Sequence, residues 1–299
     1  MGDLTQVVPV AAPRIPSKQV WKSLRVWQSA VLVLLVGWLY VPILVRLAQQ
    51  WWLDPNFSHG FFVPAFSGFV IWQDRARLAT IRRASSGWGL PVILSSLFML
   101  LLGVFGAELF LSRTSLLVLI AGLVIFFHGW AIFRAVLFPL LLLALMIPLP
   151  AIVFSQITFP LQILASKLAA WSLPLCGVPV FREGNVINLP AMPLEVAQAC
   201  SGIRSLLSLT TLAVMYGYLM EKRVVIRIAL ALASIPIAVT ANGFRIVGTG
   251  LLVQYWDPDK AEGFFHAFSG WLIFVVSLLM LFAVHQALNL TSRRNKVGI

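Results

Sequence analysis

The run "SLLVLIAGLVIFFHGWAI" (residues 115–132) contains no Asp, Glu, Lys or Arg, and a second apolar run, "AVLFPLLLLALMIPLP" (135–150), follows it closely. A helix of about twenty mostly apolar residues crosses a hydrocarbon layer of roughly 30 Å. Similar runs recur along the whole chain, and no polar segment is long enough for a separate soluble domain. The sequence therefore predicts an all-α, polytopic integral membrane helical bundle.

The composition supports this prediction, because 60% of the 299 residues are hydrophobic and only 11% are charged, with a mean hydropathy of +0.93. A net charge of +12 would suggest a nucleic-acid partner in a soluble protein. Here the basic residues lie in short loops between apolar runs, where they report topology, so no nucleic acid is expected. Residues 1–26 are charged and show no signal-peptide cleavage pattern, which predicts a retained cytoplasmic tail.

A single transmembrane domain is predicted over residues 27–290, followed by a cytoplasmic C-terminal tail over 291–299. Residues 151–173 are apolar but interrupted by Gln156, Pro160 and Lys167, which favours an interfacial or re-entrant helix over a ninth span. The spanning helices are predicted at about 27–45, 59–73, 88–105, 115–132, 135–150, 203–220, 226–247 and 267–288.

Charge asymmetry sets the predicted orientation. With both termini inside and eight spans, 15 of the 22 basic residues fall on the cytoplasmic side and 7 of the 10 acidic residues on the other, as the positive-inside rule demands. The polar loops 53–60, 174–202 and 253–270 then lie outside. Prolines in 174–194 break helices and leave extended backbone, so this loop is expected to lie pinned to the membrane surface.

Three chemically useful side chains converge at this outer face. Cys200 precedes the helix predicted to start near Ser201, and a helix N-terminus favours a thiolate. Arg245 is predicted near the outer end of its span, and His266 opens the last span. A thiolate, a guanidinium and an imidazole supply a nucleophile, an oxyanion partner and a proton donor for acyl transfer.

Five stretches carry a family resemblance, in the order "DPNFSHGFFVP" (54–64), "FREGNVINLP" (181–190), "EVAQACSGIRSL" (195–206), "ANGFRIVGTG" (241–250) and "GFFHAFSGW" (263–271). Together they resemble the exosortase and archaeosortase family of integral membrane, cysteine peptidase-like sorting enzymes. The most specific part is "ACSGIRSL" followed by "NGFRI" and a lone histidine.

The resemblance implies a bacterial inner-membrane enzyme whose substrates are exported proteins with a C-terminal signal of Pro-Glu-Pro motif, transmembrane helix and basic tail. It implies Cys200 as nucleophile, Arg245 as catalytic arginine and His266 as catalytic histidine, with the active site facing outward. The cleaved protein would pass to a surface acceptor, such as a polysaccharide or a lipid, and membrane lipid is itself an expected partner.

Each of these residues also has a simpler interpretation. Cys176 and Cys200 share the outer loop system, where a disulfide is possible. An arginine at a helix end often snorkels to the interface, as Arg245 would, and His266 would by itself suit an interfacial position. The family resemblance favours the catalytic interpretation of all three.

Several polar residues are expected to support the site. Asn242 lies one turn before Arg245 and could bond its guanidinium. Arg204 or Arg182 could pair with the acid of the sorting motif, and Glu195 could orient His266. His59, in "FSHG", is the rival proton carrier. These supporting residues are therefore Arg204, Asn242, Glu195, His59 and Arg182.

No cofactor or metal is expected, because the chain has no HExxH, paired CxxC, Walker or dinucleotide motif. A transporter would carry ionisable groups in the middle of its spans, whereas the polar groups here collect at one face. A membrane acyl- or glycosyltransferase in surface polysaccharide assembly, or a non-catalytic assembly factor, remains the alternative. Either would keep its activity without Cys200.

Overall fold

The structure, a computed structural model, describes residues 18–196, 202–256 and 264–297. The chain divides into two compact units, Met1–Val45 and Arg46–Ile299. Helix α1 (Lys18–Leu53) supplies the described part of the first unit and runs into the second. The second unit then contains a 3-10 helix (Pro55–Phe61), α2 (Phe62–Gln73), α3 (Arg75–Thr80), α4 (Gly89–Phe105), α5 (Leu109–Leu142), a 3-10 helix (Leu143–Met146), α6 (Ala151–Leu175), β1 (Phe181–Glu183), β2 (Val186–Asn188), β3 (Pro193–Glu195), α7 (Gly202–Met220), α8 (Val224–Tyr255) and α9 (Phe264–Val297).

The helices confirm a mostly helical, multi-pass membrane protein. Within the described ranges, five segments are long and apolar enough to cross a membrane: Ala30–Leu53, Leu109–Met146, Ala151–Leu175, Val224–Tyr255 and Phe268–Leu290. Large apolar side chains such as Phe105, Val225 and Leu279 are exposed on helix surfaces, as lipid-facing residues are and as those of a water-soluble monomer rarely are. The count of eight spans and the cytoplasmic termini stay predictions.

A sharp kink divides α5 at Gly129. Its backbone has φ 84° and ψ 177°, a region that only glycine adopts readily. A Cβ at this position would stand 1.9 Å from the Ala84 carbonyl oxygen. The kink therefore falls inside the predicted span 115–132, three residues before its expected end.

The predicted span over 59–73 is wrong in its bounds. Asp54 accepts a hydrogen bond from the Asn56 amide and starts a 3-10 helix, so α2 begins only at Phe62. Its twelve residues extend about 18 Å, which is well short of the hydrocarbon thickness. Residues 151–173 lie in the continuous helix α6, whose length and composition would allow a crossing, so the interfacial or re-entrant placement stays a prediction.

The segment after α6 folds into a small antiparallel sheet, in addition to the all-α architecture expected. Its strand order is β1-β2-β3, with Arg182 opposite Ile187 and Ile187 opposite Leu194. Ile187 and Leu194 are buried in a cluster with Ala165 and Leu173 of α6. The extended backbone expected for this loop is therefore held by strand pairing and by an apolar face packed on helices.

Candidate active site

The α7–α8 hairpin determines the depth of the candidate site. The Thr210 and Ser234 hydroxyls lie 2.9 Å apart, and a Cβ on Gly217 would stand 3.5 Å from the Arg227 Cα. The two pairs fit one antiparallel register, because each residue further along α7 faces one residue earlier on α8. This register places Gly202, where the described part of α7 begins, level with Asn242.

Arg245 lies about 4.5 Å further along α8 than Asn242, on the estimate of 1.5 Å per residue. It was expected near the outer end of its span, but α8 continues for ten more residues to Tyr255. Glycines at 248 and 250 do not end the helix, and a Cβ on Gly250 would stand 3.1 Å from Leu173 of α6. The arginine is 5% exposed, so its charge is enclosed by the protein and does not snorkel to an interface.

Helix α9 approaches the Arg245 guanidinium at Gly270. A Cβ on Gly270 would stand 3.4 Å from Nη2 and 3.5 Å from Cζ of Arg245. His266 is one helical turn before Gly270 in α9, and residues four apart share a helix face. The structure thus places the His266 backbone one helical turn before the point where α9 meets Arg245.

The small sheet and α6 cover the neighbouring part of α8. Ile246, next to Arg245, is fully buried in the cluster that includes Ala169, Ile187 and Leu194. Leu168 of α6 stands 3.4 Å from where a Cβ on Gly243 would be. Water is therefore kept from this flank of the helix that carries Arg245, which strengthens electrostatic interactions there.

Cys200 lies outside the described residues, and His266 is described by its backbone alone. Their roles as nucleophile and proton donor, and the pairing of Cys176 with Cys200, stay predictions. Cys176 itself is exposed at the end of α6, where its carbonyl accepts a hydrogen bond from the Tyr255 hydroxyl at 3.2 Å.

Two of the expected supporting residues differ in how they relate to Arg245. Asn242 is 8% exposed and precedes Arg245 by three residues on α8, so both side chains lie on adjacent faces of one buried helix segment. Arg204 is exposed on α7, two residues after Gly202. Asn242 therefore belongs to the enclosed part of the candidate site, whereas the Arg204 charge is open to a ligand from outside the unit.

Arg182 and Glu195 belong to the sheet. Arg182 donates a hydrogen bond from Nη1 to the Gly184 carbonyl at 2.5 Å, across the hairpin turn. Glu195 ends β3 opposite Val186, and it is exposed. Both charges thus lie at the surface of the cover over α8.

His59 lies in the 3-10 helix after α1, and this 3-10 helix packs against α7. Its Nε2 lies 3.3 Å from the Leu145 carbonyl oxygen, and burial lowers the pKa of His59, an effect partly offset by the Leu145 and Asn56 carbonyls. The next residue, Gly60, lets the Trp51 ring pack closely, since a Cβ would stand 2.4 Å from Nε1. These contacts fit the packing role of "FSHG" that sequence also allowed.

Gly270 is the site residue that sequence reasoning missed. The available signal was a glycine one turn after the lone histidine in "HAFSG". A small residue at that spacing permits close approach of a neighbouring helix or side chain, and the neighbour here is the Arg245 guanidinium.

The family model for transmembrane exosortases matches residues 51–283, more than three quarters of the chain. The chain belongs to the transmembrane exosortase family. No curated protein and no solved structure matches it. The matched range of this exosortase runs from Trp51 to within α9 and so contains Cys200, Arg245 and His266.

Proposed function

We propose that this exosortase is a membrane-embedded cysteine peptidase or transpeptidase that cleaves the C-terminal sorting signal of exported proteins. The observation that carries the proposal is the buried Arg245 guanidinium packed on α9 one turn from His266, in a chain of the exosortase family. An enclosed guanidinium next to a helix that carries a histidine suits a reaction that develops negative charge.

In the proposed reaction, the Cys200 thiolate attacks the carbonyl carbon of a peptide bond, and the resulting oxyanion collapses with cleavage of the C–N bond. His266 donates a proton to the departing amine, and the new acyl group remains on Cys200 as a thioester. An amine, a hydroxyl or water then attacks the thioester, gives up its proton to His266 and releases the thiolate. Arg245 stabilises the oxyanion in both steps.

The proposed substrate is an exported protein that ends in a Pro-Glu-Pro type motif, a transmembrane helix and a basic tail, presented at the extracytoplasmic face. The exposed guanidinium of Arg204 supports recognition of the single acid in the motif. A cell-surface polysaccharide or lipid is the proposed acceptor, and Arg182 the second candidate for the acid.

To test the proposal, a tagged reporter that carries such a signal is expressed together with the exosortase, and cleavage of the reporter is followed on gels. We expect Cys200→Ala to abolish cleavage, whereas Cys176→Ala, the matched control, should process normally. Arg245→Gln should slow turnover by about a hundredfold or more, the usual cost of losing one oxyanion partner. Hydroxylamine should release the cleaved reporter from any intermediate that accumulates on Cys200, because hydroxylamine cleaves thioesters.

Processing that survives Cys200→Ala would refute the proposal and favour the transferase or assembly role in polysaccharide production. If Cys176→Ala also abolished cleavage, a disulfide between the two cysteines would be indicated as a support of the site. Alkylation without reductant separates that case, because a disulfide leaves both thiols unlabelled.

A further inference from the structure

A cavity of about 380 Å³ lies in the second unit, at the start of the candidate span Leu109–Met146. Its apolar wall includes Phe57, Phe110, Leu149 and Phe154, and its polar wall includes Asp54, Glu108 and Arg113. The proposed thioester chemistry uses none of these residues. Because the cavity adjoins the beginning of a spanning helix, it lies at the level where lipid head groups meet protein.

Arg113 is the most deeply buried of the charged residues that line this cavity. It is 4% exposed, and no residue in the described ranges accepts a hydrogen bond from its buried Nε. Burying a guanidinium N–H without an acceptor is costly, and an arginine in a spanning helix usually marks a binding or transport function. The cavity beside it offers the place where an anion could supply the missing acceptor.

Two carboxylates lie nearer the mouth. Asp54 is half-buried and Glu108 is exposed. Each accepts a backbone N–H at 2.9 Å, from Asn56 and Leu111 respectively. Among the described residues neither carboxylate lies within ion-pair distance of Arg113, and the Glu108 charge interacts with the guanidinium only at longer range. Negative charge therefore lies at the mouth and positive charge lies deeper.

We infer that this cavity binds the zwitterionic head group of a phospholipid with a primary ammonium, as in phosphatidylethanolamine. The phosphodiester pairs with Arg113, and the ammonium, which lies further from the hydrocarbon, pairs with Glu108 and Asp54. The aromatic wall takes the glycerol and the start of the acyl chains. Anionic lipid without an amine would meet the two carboxylates unpaired and bind less well.

The experiment uses full-length protein that carries Cys200→Ala, so that its outcome does not depend on the proposed reaction. The protein is delipidated in detergent, and lipid retention is measured by native mass spectrometry together with thermal unfolding. The probes are phosphatidylethanolamine, phosphatidylglycerol, phosphatidylcholine and soluble glycerophosphoethanolamine. We expect phosphatidylethanolamine to bind about tenfold or more tightly than the other three, the effect of one charge-assisted hydrogen bond.

Variants identify the groups that recognise the head group. Arg113→Met should weaken phosphatidylethanolamine binding about tenfold or more, whereas Arg46→Gln, which removes an exposed arginine on α1, should leave it unchanged. Glu108→Gln should reduce the preference for phosphatidylethanolamine over phosphatidylglycerol. The Arg113→Met protein should still fold, since the substitution replaces a buried charge with an apolar side chain of similar length.

Equal binding of the three lipids, or unchanged phosphatidylethanolamine binding in Arg113→Met, would overturn the inference. So would soluble glycerophosphoethanolamine that binds as tightly as the lipid, because the aromatic wall would then contribute nothing. Tighter binding of phosphatidylglycerol would overturn the assigned role of the two carboxylates.

Discussion

Gly270 offers a direct test of whether the position of the Arg245 guanidinium matters for catalysis. A Cβ at Gly270 would contact Nη2 at 3.4 Å and Cζ at 3.5 Å, which is ordinary van der Waals contact. Gly270→Ala should therefore leave the guanidinium in place, and alanine should stabilise the helix by about 0.5 to 1 kcal/mol relative to glycine. Processing of the reporter should stay at the wild-type rate.

Gly270→Val should behave differently, because its methyl groups extend ~1.5 Å beyond Cβ. A methyl directed at the guanidinium would approach it to about 2 Å, far inside the roughly 3.5 Å at which carbon contacts are favourable. The guanidinium must then move, and loss of its interaction with the oxyanion should slow cleavage by about a hundredfold or more. Reporter cleavage and tryptophan fluorescence during thermal unfolding measure the two effects separately.

Gly248→Val is the matched control, since no heavy atom in the described residues lies within 4 Å of a Cβ there. It introduces the same β-branched side chain into a helix, three residues from Arg245, without touching the guanidinium. If Gly270→Val folds and still processes the reporter at the wild-type rate, the Arg245 position seen here has no part in catalysis.

Three further predictions concern stability. Gly129→Ala should disrupt the kink in α5, because its Cβ would stand 1.9 Å from the Ala84 carbonyl oxygen, and the unfolding temperature and membrane yield should both fall. The pKa of His59 is lowered below 6.5, so the unfolded chain takes up that proton first and stability should drop as pH falls below about 6.5; His59→Gln should remove this dependence. Hydrogen bonds from Arg223 lower the pKa of Glu221 to about 2, so its stabilisation is complete above 4.5 and lost as pH falls toward 2. Glu221→Gln should cost about 1 to 3 kcal/mol at neutral pH and much less at pH 2, where about half of the carboxylate is protonated; equal loss at both pH values would contradict the ionic explanation.

Apolar runs and loop charge were enough to predict the helical membrane architecture, because both follow from the cost of exposing polar groups to lipid. Helix ends were less predictable. The span was predicted to end at 247 because its length was taken from the apolar run alone. The helix α8 is longer, since it continues to Tyr255 and contacts α6. As a result Arg245 was placed at a surface although it lies inside the protein.

The sheet was not predicted for a different reason. Its strands are three residues long, too short for an alternating pattern to stand out, and prolines flank them. What holds them is the burial of Ile187 and Leu194 against α6, a contact between segments that are about twenty residues apart. The match of Gly270 to Arg245 is likewise a contact between separate helices, which one sequence does not reveal.

A polar cluster at the other end of the hairpin links the helices that carry the candidate site. The Glu221 carboxylate accepts hydrogen bonds from the Lys222 and Arg223 amides at 2.8 and 3.0 Å, and lies 3.7 Å from His285 of α9. His285 in turn bonds the Tyr216 hydroxyl of α7 at 2.8 Å. These bonds join α7, α9 and the start of α8.

Helices joined firmly at one end have a defined register at the other. Arg245 lies about 32 Å along α8 from the first residue of that helix, Val224, at 1.5 Å per residue, and the guanidinium meets Gly270 only if α8 and α9 keep their relative height. A shift of one residue would move Gly270 by about 1.5 Å and rotate it by about 100° away from the guanidinium. The cluster around Glu221 therefore contributes to the site by holding two helices in register, although it takes no part in the proposed chemistry.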